Sequence, residues 1–270
     1  MKEISSEDIH NLVRSKYGNI ASTNSAGCGC ASKSCCKDSV TNLSEELNLK
    51  KALKMGYEKN DIKNVPEGAN LGLGCGNPSA FALLKPCETV LDLGSGAGLD
   101  CFIAARQVGS AGRVIGVDMS PEMIKKAREN ATKGNFNNVE FRLGEIEHLP
   151  VADESIDVII SNCVINLSPD KRSVFSEAYR VLKAGGRLSI SDIISIKDLP
   201  EEIIHNMDLY CECISGAVSS ESLENILIDT GFKDIYIKPK SESLEFIKEW
   251  STELDVTSYI VSATIEATKT

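Results

Sequence analysis

Short apolar runs alternate with helix-patterned segments from Thr89 to Asp192, and this alternation restricts the fold more than any other feature of the chain. TVLDLG (89–94), RVIGVDMS (113–120), NVEFRLG (138–144), SIDVIISN (155–162) and RLSISDI (187–193) have the β-branched, apolar density of buried strands. Between them, LDCFIAARQVG (99–109), PEMIKKARENATKG (121–134) and DKRSVFSEAYRVLKAGG (170–186) show helical spacing, with Pro121 placed to open the second. Apolar strands joined by helices predict a parallel sheet covered on both faces, an α/β three-layer sandwich.

The flanks read differently. Residues 5–20 put Ile9, Leu12, Val13 and Tyr17 at helical spacing, and SEELNLKKALKMGY (44–57) repeats the pattern. The segment between, ASTNSAGCGCASKSCCKDSVTN, is too small and polar to bury a core and is expected to be a loop or mobile arm. A Gly-rich stretch, NLGLGCGNPSA (70–80), precedes a short apolar helix expected at 80–84. Beyond Asp192 come an acidic, helix-rich stretch at 199–217, a helix around 221–230, and strands near 232–238 and 257–265. The expected organisation is a helical, Cys-rich N-terminal arm (1–70), a core (71–195) and a C-terminal α+β region covering the substrate (196–270).

The first strand ends in Asp92-Leu-Gly94-Ser95-Gly96-Ala-Gly98, and Asp118 ends the next one 20 positions later. Glycines at a strand-to-helix turn let a ligand approach the backbone closely, so a dinucleotide is the first competitor. An acidic residue inside the strand end is the wrong charge for a pyrophosphate. With Leu182-Lys-Ala-Gly-Gly186 before the last strand of the block, these residues resemble the class I (Rossmann-like) S-adenosylmethionine-dependent methyltransferases over roughly residues 75–195. The resemblance implies S-adenosylmethionine as cofactor. It also implies that Asp92, Gly94, Ser95, Gly96 and Gly98 hold its methionine portion, with Asp118 on the ribose and Met119 beside the adenine. Glu145 matches the acidic residue near the adenine amino group, with Ile146 and Asn162 completing the set.

A methyltransferase fold leaves the substrate open. Lys and Arg number 29 against 39 Asp and Glu, a net charge of −10 that argues against nucleic acid as the main partner. No apolar run reaches the ~20 residues that cross a bilayer, and the N-terminus lacks an apolar signal region, so the expected location is cytoplasmic. In such a chain ten cysteines point to metal, metalloid or redox chemistry rather than to staples. Cys75 lies in a glycine-rich loop, Cys163 just past the fourth strand, and Cys213 at the end of the helix after the fifth. All three can reach the sheet edge where ligands of open α/β folds bind.

Three soft thiolates without a histidine cluster suit a thiophilic centre. GLGCGNP, SNCVINL and ECISGA together resemble the arsenite S-adenosylmethionine methyltransferases over nearly the whole chain. That resemblance implies that Cys75, Cys163 and Cys213 bind trivalent arsenic and that arsenite and methylarsenite are substrates. It further implies that a protein disulfide formed in the cycle is reduced by thioredoxin or glutathione. A thiol pKa of about 8.5 predicts proton release on binding, with affinity rising with pH. Cys101 and Cys87 read as filler and turn residues, and Cys211, pointing about 200° away from Cys213 on a helix, as packing or surface. Cys28, Cys30, Cys35 and Cys36 are four open candidates for a thiol relay, and His10, His148 and His205 read as surface or packing histidines. Competing readings are a small-metabolite C- or O-methyltransferase, which needs no thiols, a thiol protein that sequesters metalloids, and a redox sensor built on the arm.

Overall fold

The computed structural model describes residues 5–23, 37–80, 82–250 and 255–270. Cys28, Cys30, Cys35 and Cys36 lie outside the described residues. Three N-terminal helices, α1 (Ser6–Thr23), α2 (Lys37–Lys54) and α3 (Lys59–Lys63), precede the alternating block. The block comprises β1 (Thr89–Leu93), α4 (Leu99–Val108), β2 (Arg113–Asp118), α5 (Pro121–Lys133), β3 (Val139–Leu143), β4 (Ile156–Asn162), α6 (Lys171–Val181) and β5 (Leu182–Ser195). There follow α7 (Glu201–Ile204), α8 (Met207–Tyr210), α9 (Ser220–Thr230), β6 (Lys233–Lys240), α10 (Leu244–Ile247) and β7 (Ile260–Thr268).

The strands form one seven-stranded sheet in the order β3-β2-β1-β4-β5-β7-β6. The first five are mutually parallel, and β7 slots antiparallel between β5 and β6, so the late strands extend the same sheet. Side chains alternate across it with period two. Leu91, Leu93, Ile159 and Ile190 join a cluster with Val174 and Phe175 of α6 and Leu223 and Leu227 of α9. Val90, Val114, Val158 and Ile160 face Phe102 and Ala105 of α4 and Ile124 and Ala127 of α5. Both faces are dry, which is why these strands read as continuous apolar runs.

Pro121 opens α5, and the Ser120 hydroxyl accepts from the Met123 amide as its cap. Two expectations shift. The helix read through residue 186 stops at Val181: Leu182 is extended and pairs with Ile156, and Gly185 is left-handed at φ +77°. The short helix expected at 80–84 is a single 3-10 turn at Pro78–Ala80, with residues 82–84 non-helical.

Candidate active site

The C-terminal ends of β1, β2 and β4 open into a cavity of about 480 Å³, within the range of ligand pockets. Asp92, Gly94, Ser95, Gly96, Asp118, Met119, Ile146, Asn162, Cys163 and Cys213 all line it. Three residues expected at the site do not: Gly98, Glu145 and Cys75. Gly98 stands behind the wall as the left-handed residue before α4, where a Cβ would come within 2.7 Å of the Phe102 ring. Gly94 is also left-handed, and a Cβ there would overlap Val164.

The cleft is rich in carboxylates. Asp118 is pinned by the amides of Gly96 and Ser120, each donating at 2.9 Å, which leaves its remaining lone pairs for a ligand. Asp92 is buried and accepts the Cys101 thiol at 3.1 Å. Burial, reinforced by the Asp100 charge, pushes the Asp92 carboxyl well above the usual range. Asp100, which the sequence reading did not single out, lines the same cavity and accepts the Tyr57 hydroxyl at 2.8 and 2.9 Å. Burial raises it to about 6, against the opposing hydrogen bonds of Tyr57 and Asn162. Ser95 Oγ is buried here with no hydrogen-bond partner among the described residues. Carboxylates and a spare hydroxyl fit a polar, cationic ligand such as S-adenosylmethionine, which carries a sulfonium and an ammonium.

Cys163 and Cys213 line one end of the cavity, and Cys75 joins them in the same buried cluster. The Cys163 thiol lies within 4.8 Å of the Cys75 thiol, the Cys75 thiol donates to the Ser191 carbonyl at 3.5 Å, and the Cys213 thiol donates to the Cys163 carbonyl at 2.9 Å. Cys163 and Cys213 are both left-handed, at φ +58° and +63°. Such a conformation costs about 1–2 kcal/mol for a residue with a side chain, and strain of this kind concentrates at functional sites. Cys75 lies one layer deeper. Its amide donates to Asn162 Oδ1 at 2.9 Å, and its carbonyl accepts the Ser262 hydroxyl of β7 at 2.8 Å. Asn162 Nδ2 in turn donates to the Gly76 carbonyl at 2.7 Å and the Tyr57 hydroxyl at 2.8 Å, tying the thiol loop to the carboxylate cleft. Burial and the neighbouring thiols push Cys163 well up. For Cys213 the Cys163 hydrogen bond pulls down, but burial together with the Asp192, Cys75 and Glu212 charges leaves the thiol at about 11.

Helix α1 closes the mouth. His10, Val13, Arg14, Tyr17 and Ile20 line the cavity at helical spacing. The buried stripe is therefore mixed, and Leu12, expected inward, is 37% exposed. His10, expected to be an ordinary histidine, sits 3.1 Å from Glu147 Oε1, and the Ser168 hydroxyl bonds the same oxygen. Arg14 donates to the Met119 carbonyl at 3.3 Å and to Glu145 at 3.1 Å, so the Glu145 carboxylate is engaged by α1 at the rim. The Tyr17 hydroxyl donates to the Cys211 carbonyl at 3.1 Å. Cys211 is buried and also lines the cavity, Cys101 holds Asp92 rather than merely filling space, and Cys87 is exposed.

Residues 84–231 match the family model described as a methyltransferase domain. The chain is 49% identical over 269 residues to the arsenite methyltransferase of Halobacterium salinarum, covering 97% of this chain and 67% of that protein. It is 36% identical over 236 residues to the arsenite methyltransferase of Mus musculus, covering 84% and 58% respectively. An X-ray crystal structure of an arsenic(III) S-adenosylmethionine methyltransferase from Chlamydomonas reinhardtii is similar with a TM-score of 0.61 at 32% identity, covering 82% of this chain and 73% of that one. The chain thus spans about two thirds of the first of these relatives and less of the second. Among the described residues no helix is long and apolar enough to cross a membrane.

Proposed function

The chain belongs to the arsenite methyltransferase family of S-adenosylmethionine-dependent enzymes, and on that premise we propose that it methylates trivalent arsenic held by Cys75, Cys163 and Cys213. The observation that carries this reading is a cluster of three buried thiols, two of which line a cavity whose other end is a carboxylate-lined cleft.

Arsenite enters as the neutral trihydroxide, and each thiol replaces one hydroxyl. Three S–H protons leave with three hydroxyls as three waters, so exchange releases no net proton. That balance corrects the expectation that affinity rises with pH. It also makes the raised range of Cys163 and Cys213 compatible with binding at neutral pH. Arsenic bound through three sulfurs keeps its lone pair, so no general base has to remove a proton from the nucleophile.

Asp92, Ser95 and Asp118 would hold S-adenosylmethionine, which supplies an electrophilic methyl group when bound. The residues contribute by positioning, an effect worth up to ~7–11 kcal/mol in well-oriented systems. Asn162, bonded on one side to the Cys75 loop and adjacent in sequence to Cys163, fixes the thiols relative to the cleft. Val164, Leu167 and Phe246 supply apolar walls beside the thiols, and α1 covers the mouth, which keeps water from the reacting atoms. The acidic cleft favours a cation and loses that attraction once the methyl's positive charge has gone, which aids release of the product.

Methyl transfer takes arsenic formally to the pentavalent state. Two protein thiols return it to trivalent by forming a disulfide, and an external dithiol or glutathione-type thiol then reduces the protein. Turnover of methyl-labelled S-adenosylmethionine with arsenite and a thiol reductant tests the reading. Wild type should yield methylated arsenic, and Cys163→Ser should yield none while still binding S-adenosylhomocysteine. A wild type that binds the cofactor product yet methylates no arsenic refutes it and points to a metabolite methyltransferase, and a Cys163→Ser variant that methylates arsenite at the full rate refutes the three-thiol site.

A further inference from the structure

One buried carboxylate beside the thiols has no part in the chemistry above. Asp192, in β5, is 2% exposed, and one of its oxygens together with Cys75 Sγ and Cys163 Sγ forms a group of ligand atoms all within 4.8 Å of one another. Its Oδ1 accepts from the Ile193 amide at 2.7 Å and Asn166 Nδ2 at 3.0 Å, whereas among the described residues Oδ2 accepts only from the Ile165 amide at 2.9 Å. A carboxylate offers about four lone-pair sites, so Oδ2 retains acceptor capacity. Trivalent arsenic, satisfied by three sulfurs, has no use for this oxygen.

We propose that Cys75, Cys163 and Asp192, with Cys213 as the fourth donor, bind a thiophilic divalent cation of the zinc class when arsenic is absent, and that arsenite must displace it. The donor chemistry fits. Three thiolates with one harder oxygen suit zinc or cadmium. The spacing fits as well. Tetrahedral ligation at a zinc–sulfur distance of about 2.3 Å puts ligand atoms about 3.8 Å apart, so a group spread over 4.8 Å contracts by about an ångström to close on the ion. Binding through Cys75, Cys163 and Cys213 displaces three thiol protons to solvent, and three thiolates plus one carboxylate against the dication leave two negative charges. Lys171, whose ammonium feels the Asp192 and Cys213 charges, offsets one of the two.

Such an ion would cap the thiols against oxidation and set a threshold for arsenite entry. Displacement by arsenite rests on the proposed function, whereas cation binding does not.

The test uses the full chain with Cys28, Cys30, Cys35 and Cys36 changed to serine, so that the arm contributes no thiols. Titration of the reduced protein with cadmium, followed by thiolate-to-metal charge-transfer absorption, should show one ion per chain. Asp192→Asn should weaken binding by at least about tenfold, and Cys163→Ser should weaken it further, each variant still binding S-adenosylhomocysteine. Should the Asn variant fail to fold, the cadmium-113 resonance of the parent decides: an oxygen donor moves it upfield of the all-thiolate range. Stoichiometric arsenite should release the ion. Absence of a bound ion, an all-thiolate resonance, or unchanged affinity in a folded Asp192→Asn variant overturns the site. Retention of the ion against arsenite overturns the competition. Methyl transfer is assayed with the unsubstituted chain: if it methylates arsenite while the substituted protein binds no cadmium, this inference alone fails, and if cadmium binds but the unsubstituted chain transfers no methyl, the functional reading alone fails.

Discussion

Asp100→Asn should change how stability depends on pH, in a direction fixed by burial. The Asp100 carboxyl is raised to about 6, while an unfolded-chain aspartate titrates near about 3.9. Between these values the folded protein holds a proton that the unfolded chain has released, so folding is linked to proton uptake and stability falls as pH rises. The full difference of roughly two pK units corresponds to about 3 kcal/mol, at about 1.36 kcal/mol per unit. Asparagine removes that dependence, and it relieves Asp92, whose raised range owes part of its origin to Asp100. Losing a carboxylate acceptor for Tyr57 adds an offset that does not vary with pH in this range. Urea unfolding of both proteins at intervals from pH 4 to 7 isolates the effect as a difference curve. Wild type should lose about 2–3 kcal/mol relative to the variant across that span. A flat difference, or one in which wild type gains with pH, refutes the view that Asp100 is held in a dry cleft.

Gly94→Ala should destabilise by more than about 2 kcal/mol and abolish S-adenosylhomocysteine binding, because the position is left-handed and the new methyl meets Val164; a melting curve and a binding isotherm check both. Cys87→Gly should raise stability by about 0.5–1 kcal/mol, since the exposed Cys87 is held at φ +71°, while Cys87→Ala stays neutral in the same denaturation assay. Cys75→Ser should abolish methylation of arsenite but spare that of methylarsenite, which has one bond fewer to offer sulfur; product analysis by mass spectrometry separates the two. Arg14→Ala should weaken S-adenosylhomocysteine binding by about tenfold, because it frees α1 from both Met119 and Glu145.

Strands β1, β2 and β4 were legible because they are buried on both faces and write nearly unbroken apolar runs, whereas the edge strand β3 was legible from its alternation of apolar and charged residues. The end of α6 was not, since Leu182-Lys-Ala-Gly-Gly186 keeps helical composition and only sheet pairing with β4 pulls Leu182 out. Asp92, Gly94 and Asp118 were legible as strand-end residues at fixed offsets. Tyr57, Asp100 and Asp192 were not, because their partners come from distant segments: Tyr57 meets Asp100 across 43 positions and Cys75 bonds Asn162 across 87. His10 was passed over for the same reason, its partner Glu147 lying 137 residues away. The α1 stripe was misread at Leu12 because a helix over a polar cavity turns polar side chains inward, against the usual amphipathic rule.

The antiparallel β7 has a consequence during synthesis. Among the described residues strand β6 pairs only with β7, so it has no sheet partner until residues 260–268 leave the ribosome. Elongation from the end of β5 to the end of β7 takes roughly 4–15 s at ordinary translation rates. Through that interval the nascent chain presents an open β5 edge, and Cys75 lacks the Ser262 contact that steadies its loop. Codon choice between Ser195 and Ile260 thereby sets how long half-built thiols stand exposed to oxidants and chaperones before the last strand seals them.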